Sequence, residues 1–295
     1  MHSYLRAIGF CDIKKKKDVD ALLEEVIQHP TCSTTASDEE GNEIVELAKQ
    51  YGDSMGIAVR GEYAEDGTFY VDYYFPYFKG EGISTQEIIE VEKRIETDSY
   101  AGICDDVRMG VTLIYFLQNV MDYLTHRRFT KSNRVSATST IAGLSLEGKV
   151  LLPIKKNEHQ QACSEQNNEK HLHLIAAARD GDEEAMESLT LEDIDTYSML
   201  TRRIMKEDVL SIVDSYFMPY GIESDQFSVL GEIMQTKSIE NEKTKEEMYK
   251  LTLDCNDMVF DVCINKKDLL GEPMVGRRFK GTIWMQGTIN FMSRA

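Results

Sequence analysis

The sequence predicts an α+β fold, with an antiparallel sheet and packed helices in the N-terminal half. For the C-terminal half it predicts helices and a small curved antiparallel sheet. Alternating apolar residues near both ends of the chain are typical of half-buried strands. Apolar residues three and four positions apart indicate amphipathic helices. A polar stretch over 155–170 separates the halves, so we predict an N-terminal domain over 1–154, a linker, and a C-terminal unit over 171–295.

The composition is that of a globular protein with a strong acidic excess. The chain has 295 residues, 42% of them hydrophobic, and a net charge of −18. A dedicated nucleic-acid binder or a binder of anionic membranes needs a positive field, so we predict neither kind of partner. The first ten residues lack a signal-peptide pattern, and the six cysteines are scattered without a CxxC pair. We therefore expect a cytoplasmic protein with reduced thiols.

The N-terminal half begins with a short apolar segment over 4–10, which predicts a first strand. Helical spacing of apolar residues predicts an amphipathic helix over 18–28. Residues 44–51 fit a short helix or a strand. A Gly-containing turn between two segments rich in aromatic and β-branched residues predicts a β-hairpin over 55–63 and 68–78.

Four further segments complete the predicted N-terminal domain. Alternation over 87–97 indicates another strand, and the apolar run over 110–118 fits a central strand or the start of a buried helix. A short helix is expected over 119–128. Residues 134–144 and 149–154, joined by Ser-Leu-Glu-Gly, predict a second hairpin.

In the C-terminal half, the spacing of apolar residues is first typical of helices and then of strands. Residues 172–218 are predicted to form several helices, the last of them stopped by Pro219. The Cys-Asn-Asp-Met sequence at 255–258 is the sharpest hairpin signal in this half. The predicted strands are 226–235, 247–255, 259–264 and 277–291.

A basic cluster in the last strand is a candidate anion site. Alternation places Arg278 and Lys280 on one face of the strand and Arg277 on the other. The guanidinium and ammonium groups could bind a phosphate or carboxylate, and Trp284 could stack on a ring. The alternative is a strand with one core face, whose arginines pair with the abundant acidic residues.

The predicted hairpin over 55–78 is a candidate interface because it is unusually rich in aromatic residues. Tyrosine supplies a large contact area at a low entropic cost, and some of these rings should be partly exposed. The alternative is a sheet face covered by a helix. The candidate interface residues are Tyr70, Tyr73, Tyr74 and Tyr77.

Metal-binding and catalytic patterns are weak in this sequence. Histidine and cysteine side chains with possible zinc spacing lie in or beside the polar stretch, at His159, Cys163, His171 and His173. Carboxylates that could support acid–base chemistry are more typical of a turn or a helix start, and they are Asp105, Asp106, Glu207, Asp208 and Asp214. We therefore predict no metal site, no cofactor and no catalytic residue.

Three segments resemble a known family. They are MHSYLRAIGF at 1–10, EDVLSIVDSYFMPYG at 207–221 and GEPMVGRRFKGTIWMQG at 271–287. The sequence is similar over its whole length to a family from anaerobic Gram-positive (clostridial) bacteria, known as a domain of unknown function. The resemblance implies a bacterial cytoplasmic protein that could form one integrated unit. It carries no activity or site residue to this chain.

These observations favour a non-enzymatic interaction or regulatory protein that binds a protein partner or a second copy of itself. The first alternative is a binder or sensor of a small anionic ligand, such as a nucleotide or a phosphorylated metabolite. The second alternative is an unrecognised hydrolase that uses acidic residues.

Overall fold

The protein is built mainly from β-strands. A computed structural model describes residues 3–38, 41–94, 99–154, 213–222 and 224–291, with isolated positions between 155 and 212. Of the described residues, 52% lie in strands and 17% in helices, and five strands close into a barrel. The predicted α+β class is therefore wrong. Periodicity identifies strands one at a time, but it does not show which distant strands pair with one another to close a barrel.

The first part of the chain forms two helices and a four-stranded antiparallel sheet. A 3-10 helix spans Ser3–Ile8, and α1 spans Lys16–Gln28. The strands follow in spatial as well as chain order, as β1 (Cys32–Ser37), β2 (Glu43–Gly52), β3 (Met55–Tyr63) and β4 (Phe69–Phe78). The predicted helix over 18–28 and the predicted hairpin over 55–78 are confirmed. The strand predicted over 4–10 is wrong, because a short apolar run does not distinguish a strand from a buried helical turn.

The middle of the chain extends a second, larger sheet. A 3-10 helix at Val107–Met109 precedes one of its strands, and the 11-residue helix α2 (Val120–Thr130) follows that strand and confirms the helix predicted over 119–128. The strands of this part are β5 (Ile89–Lys93), β6 (Tyr100–Cys104), β7 (Leu113–Leu117) and β8 (Arg134–Val135).

The barrel closes because its last strand pairs on both edges. The five barrel strands are β9 (Thr138–Leu151), β11 (Gln226–Glu240), β12 (Glu247–Cys255), β13 (Met258–Asn265) and β15 (Arg278–Asn290). β15 pairs antiparallel with β9 and with β11, while β13 pairs parallel with β9. The end of β15 also pairs with β7, which joins the barrel to β5–β8. Two short strands lie beside the ring, β10 (Tyr216–Pro219) on β11 and β14 (Leu269–Leu270) on β9, and a 3-10 helix at Lys266–Asp268 precedes β14.

β9 is one continuous strand, so the hairpin predicted over 134–154 is wrong. Gly148, the last residue of the predicted turn, lies within this strand. A Cβ atom on Gly148 would lie 2.4 Å from the ring of Phe279, so the glycine makes room for that ring inside the barrel. The sequence signal for a turn was therefore a packing requirement between two distant strands.

The C-terminal strands follow the prediction closely. The turn between β12 and β13 places Asn256 and Asp257 at φ 52° and 61°, as a type I′ hairpin turn requires.

The helix predicted to run up to Met218 is wrong at its end, since Tyr216–Pro219 is a strand. The predicted linker over 155–170 and most of the helices predicted over 172–215 lie outside the described residues.

Among the described residues, two hydrophobic cores hold the fold together. The first core fills the barrel and continues under β5–β7 and α2. The second lies between the outer surface of the barrel and the layer formed by the 3-10 helix, α1 and β2–β4. Side chains alternate between the two faces of β15, so this strand contributes to both cores. Ile283 and Met285 belong to the first core, and Trp284 belongs to the second.

β9 lies within the predicted domain over 1–154, and its barrel neighbours lie within the predicted unit over 171–295. The division into these two units stays a prediction. Each helix in the described part of the chain is too short or too polar to cross a lipid bilayer.

Candidate functional site

α1 and β4 border an open groove with a volume of about 650 Å³. The groove combines apolar side chains with tyrosine rings and carboxylates. Its lining residues are Asp20, Leu23, Glu24 and Ile27 from α1, and Val71, Asp72, Tyr73 and Tyr74 from β4. Such a mixture of apolar surface and a few polar groups is typical of binding sites. We therefore take this groove as the candidate site.

The helix side of the groove follows from the periodicity of α1. Asp20, Leu23, Glu24 and Ile27 are spaced so that they share one helical face. Leu23 and Ile27 are half-buried, whereas Asp20 and Glu24 are exposed at the rim. The Gln28 side-chain amide donates a hydrogen bond of 3.0 Å to Glu24. The neighbouring stripe of the helix is buried and consists of Val19, Leu22 and Val26, of which Leu22 and Val26 belong to the second core.

The strand side of the groove depends on a β-bulge. Arg60 of β3 pairs with Tyr73 of β4, but the next residue, Gly61, pairs with Val71. Asp72 is therefore the extra residue of the bulged strand, and strict alternation of side chains is interrupted here. The glycine is required at this point, because a Cβ atom on Gly61 would lie 1.8 Å from the carbonyl oxygen of Tyr70. The bulge explains how consecutive residues of β4 line one groove.

Tyr73 is fixed from behind by a buried arginine. Arg60 is 2% exposed, and its guanidinium lies 5.3 Å from the centre of the Tyr73 ring and 4.8 Å from that of Phe75. Arg60 also donates hydrogen bonds to the Tyr73 hydroxyl, to the Glu46 carboxylate and, at 2.8 Å, to the carbonyl of Gln118. Burial raises the pKa of the Tyr73 hydroxyl to about 12. The groove therefore has a rigid, neutral aromatic wall.

The four predicted interface tyrosines take different positions. Tyr73 and Tyr74 line the groove. Tyr70 is 57% exposed on the same strand, next to the groove lining. Tyr77 is buried in the second core, and the ammonium group of Lys79 lies 5.5 Å from its ring centre. Two of the four side chains thus lie together at the candidate site.

Arg278, from the predicted anion site, is directed at the protein backbone. Its side chain is 7% exposed. The guanidinium donates hydrogen bonds of 3.0 and 3.1 Å to the carbonyl of Leu152 and of 2.8 Å to those of Leu210 and Val213. Burial lowers its pKa below the ordinary arginine value. Lys280, two residues further along β15, is half-buried opposite Lys149 of β9.

The other two residues of the predicted anion site also make intramolecular contacts. Arg277 donates a hydrogen bond of 2.9 Å to the carbonyl of Glu272. The Trp284 indole N–H donates one of 3.0 Å to Asp225, and the ring packs 5.3 Å from that of Tyr4. Arg278 and Trp284 are six positions apart on an extended strand, a span of about 20 Å. The structure does not bring these two side chains together, and an anion site on β15 stays a prediction.

The carboxylates considered for acid–base chemistry are engaged in local structure where they are described. Asp105 accepts a hydrogen bond of 2.6 Å from Thr112, and Asp106 accepts one of 2.9 Å from the Arg108 Nε. Asp214 interacts electrostatically with Arg278. Within the described residues, no three His, Cys, Asp or Glu side chains are grouped as metal ligands. The remaining candidates lie outside the described residues and are His159, Cys163, His171, His173, Glu207 and Asp208.

The contribution of α1 to the groove was missed by the sequence reasoning. The available signal was the second apolar pair, Leu23 and Ile27, beside the core stripe of the helix. Leu23 and Ile27 also pack against the second core, so the apolar arc of the helix serves both the core contact and the groove lining. For the bulge, the corresponding signal in the sequence was Gly61, which follows Arg60 in the middle of a predicted strand.

Comparison with known proteins identifies one family. A family model described as "Domain of unknown function, E. rectale Gene description (DUF3881)" matches residues 5–287. This match confirms the resemblance predicted from the three sequence segments. No curated protein and no solved structure matches the chain.

Proposed function

The chain belongs to this domain-of-unknown-function family, and we propose that it is a non-enzymatic protein-interaction module of the bacterial cytoplasm. The groove between α1 and β4 would hold a segment of a protein partner. The observation that carries the proposal is the composition of this groove, with half-buried Leu23 and Ile27 beside tyrosine rings and exposed carboxylates.

The shape and rigidity of the groove favour a polypeptide segment over a small substrate. The groove is open to solvent, so a polypeptide segment can reach its lining. Arg60 holds the ring of Tyr73 in place from the core side, so little side-chain freedom is lost on binding. Tyrosine rings at such a surface supply contact area and polar contacts together.

Affinity capture with matched variants tests this function. The groove variant combines Val71→Ser with Tyr74→Ala. The control combines Val259→Ser with Tyr220→Ala, which removes the same side chains at 40% and 49% exposure outside the groove. Tagged wild-type and variant chains are expressed in the source bacterium, and the co-purified proteins are quantified by mass spectrometry.

We expect at least one protein to be captured by the wild type and the control, and to fall by about tenfold or more with the groove variant. Additional untagged copies of this chain count as a captured protein. Identical capture profiles for all three proteins, with all three folded, would contradict the proposed function.

A further inference from the structure

The start of α1 carries a basic run that forms no ion pair with the part of the chain that the structure describes. Lys14–Lys17 make up this run and are all exposed. The N-terminal end of a helix carries partial positive charge, so a lysine there costs about 0.3–1 kcal/mol. An acidic surface from outside would compensate both the run and the helix end.

The groove supplies acidic side chains one turn further along the same helix. Asp20 and Glu24 are exposed at its rim, and neither makes an ion pair with a described cation. Glu25, which points to the other side, is different, because Lys49 and Lys243 both pair with it. The exposed surface of α1 is therefore basic at its start and acidic along the groove.

We infer that the groove binds the Lys14–Lys17 run of a second copy of this chain, an inference that rests on the proposed function of the groove. The two copies of α1 would lie antiparallel about a two-fold axis, so that each contact is made twice. At 1.5 Å per residue, the centres of the pairs Lys16/Lys17 and Asp20/Glu24 are about 8 Å apart along α1. A two-fold axis near Val19, midway between the two pairs, places the lysine pair of each copy opposite the acidic pair of the other copy.

The lining of the groove suits lysine side chains. Their aliphatic stems would cover the half-buried Leu23 and Ile27, while their ammonium groups remain at the acidic rim. The rings of Tyr73 and Tyr74 form a wall on which a cation gains further stabilisation. The contact is smaller than a standard stable interface, so the dimer would be weak and would form at high protein concentration.

A charge-swap experiment tests the inference. One variant carries Lys16→Glu and Lys17→Glu, and the other carries Asp20→Lys and Glu24→Lys. Sedimentation equilibrium over about 10 to 500 μM measures the dimer fraction of each full-length protein. We expect a wild-type dimer, at least tenfold weaker self-association of each variant alone, and recovery of the dimer when the two variants are mixed.

The control combines Arg128→Glu with Lys131→Glu, which makes the same charge change at the C-terminal end of α2 and should leave the dimer intact. The Lys16→Glu, Lys17→Glu variant should be no less stable than wild type, because acids suit a helix N-terminus. A weaker dimer in this variant therefore reports the lost contact and not a lost fold.

Three results would overturn self-association: a monomeric wild type over the whole concentration range, dimers unaffected by either variant, or no recovery on mixing. A wild-type monomer that still captures another protein through the groove would leave the proposed function standing. A monomeric wild type that captures no protein through the groove would contradict both self-association and the proposed function.

Discussion

The guanidinium of Arg60 lies 5.3 Å from the ring centre of Tyr73 and donates a hydrogen bond to its hydroxyl. This contact connects the wall of the groove to the interior of the protein. Arg60 also bonds the carbonyl of Gln118, at the end of β7, so the same side chain joins the four-stranded sheet to the larger sheet. The shape of the candidate site therefore depends on a charged group that is almost completely buried.

The first prediction concerns this arginine. Arg60→Met should lower the free energy of unfolding by about 3–5 kcal/mol, because it leaves the Glu46 carboxylate and a buried carbonyl without their partner. Arg134→Met is the matched control, since the Arg134–Glu90 pair has side chains that are 71% and 38% exposed. The control should cost less than about 1 kcal/mol. Urea unfolding of the three proteins measures both values, and equal costs would contradict a structural role for Arg60.

The second prediction concerns the space beside β9. Gly148→Ala should destabilise the barrel by about 1–3 kcal/mol, because the added methyl group meets the ring of Phe279. Phe279→Leu opens that space, so the double variant should lose less stability than the sum of the single variants. Thermal unfolding of the four members of the cycle measures the coupling. Strict additivity would show that the two side chains do not compete for this space.

The third prediction concerns acid stability. Burial alone would raise the pKa of Asp106, but hydrogen bonds from Arg108 keep it below the ordinary aspartate value. A lowered pKa in the folded state stabilises the protein above the unfolded pKa of about 3.9, and this stability is lost as the pH falls through the folded value. Asp106→Asn should therefore reduce the difference in stability between pH 6 and pH 3. Unfolding curves at the two pH values give this difference, and a variant with the wild-type difference would contradict the assignment.

The fourth prediction concerns the thiols. Burial raises the pKa of Cys104 and of Cys255 to about 12, and it raises that of Cys263 as well. Cys32, by contrast, is exposed on β1. In a Cys163→Ser background, Ellman's reagent should react rapidly with Cys32, whereas the three buried thiols should react only on unfolding. Cys11 is half-buried, so its thiol can also react in the folded protein. Rapid reaction of more than two thiols would therefore contradict the burial of Cys104, Cys255 and Cys263.

The sequence predicts local elements better than it predicts how they assemble. The helix over 18–28, the hairpin over 55–78 and the turn at 255–258 each depend on neighbouring residues, so short patterns indicate them correctly. Closure of the barrel depends on the pairing of β9 with β13 and β15, more than 100 residues away, and no local pattern indicates it. Gly148 shows the same limit, because a packing glycine and a turn glycine look alike in a sequence.

The candidate site divides in the same way. Aromatic composition indicated the strand that carries Tyr73 and Tyr74. The other wall of the groove comes from α1, about 50 residues earlier in the chain, and only the three-dimensional structure places it there. Arg278 was a candidate because of its charge, but its environment is set by carbonyl groups from distant segments.

The most direct test of the groove is a photo-cross-linking measurement. Tyr74 is replaced by benzoylphenylalanine, and equal amounts of unlabelled and ¹⁵N-labelled protein are mixed, irradiated and digested. The expected result is a mixed light–heavy cross-link between the peptide that contains position 74 and the start of α1, within residues 13–21. Cross-links formed only within one chain, or directed to another part of the second copy, would contradict the binding of Lys14–Lys17 in this groove.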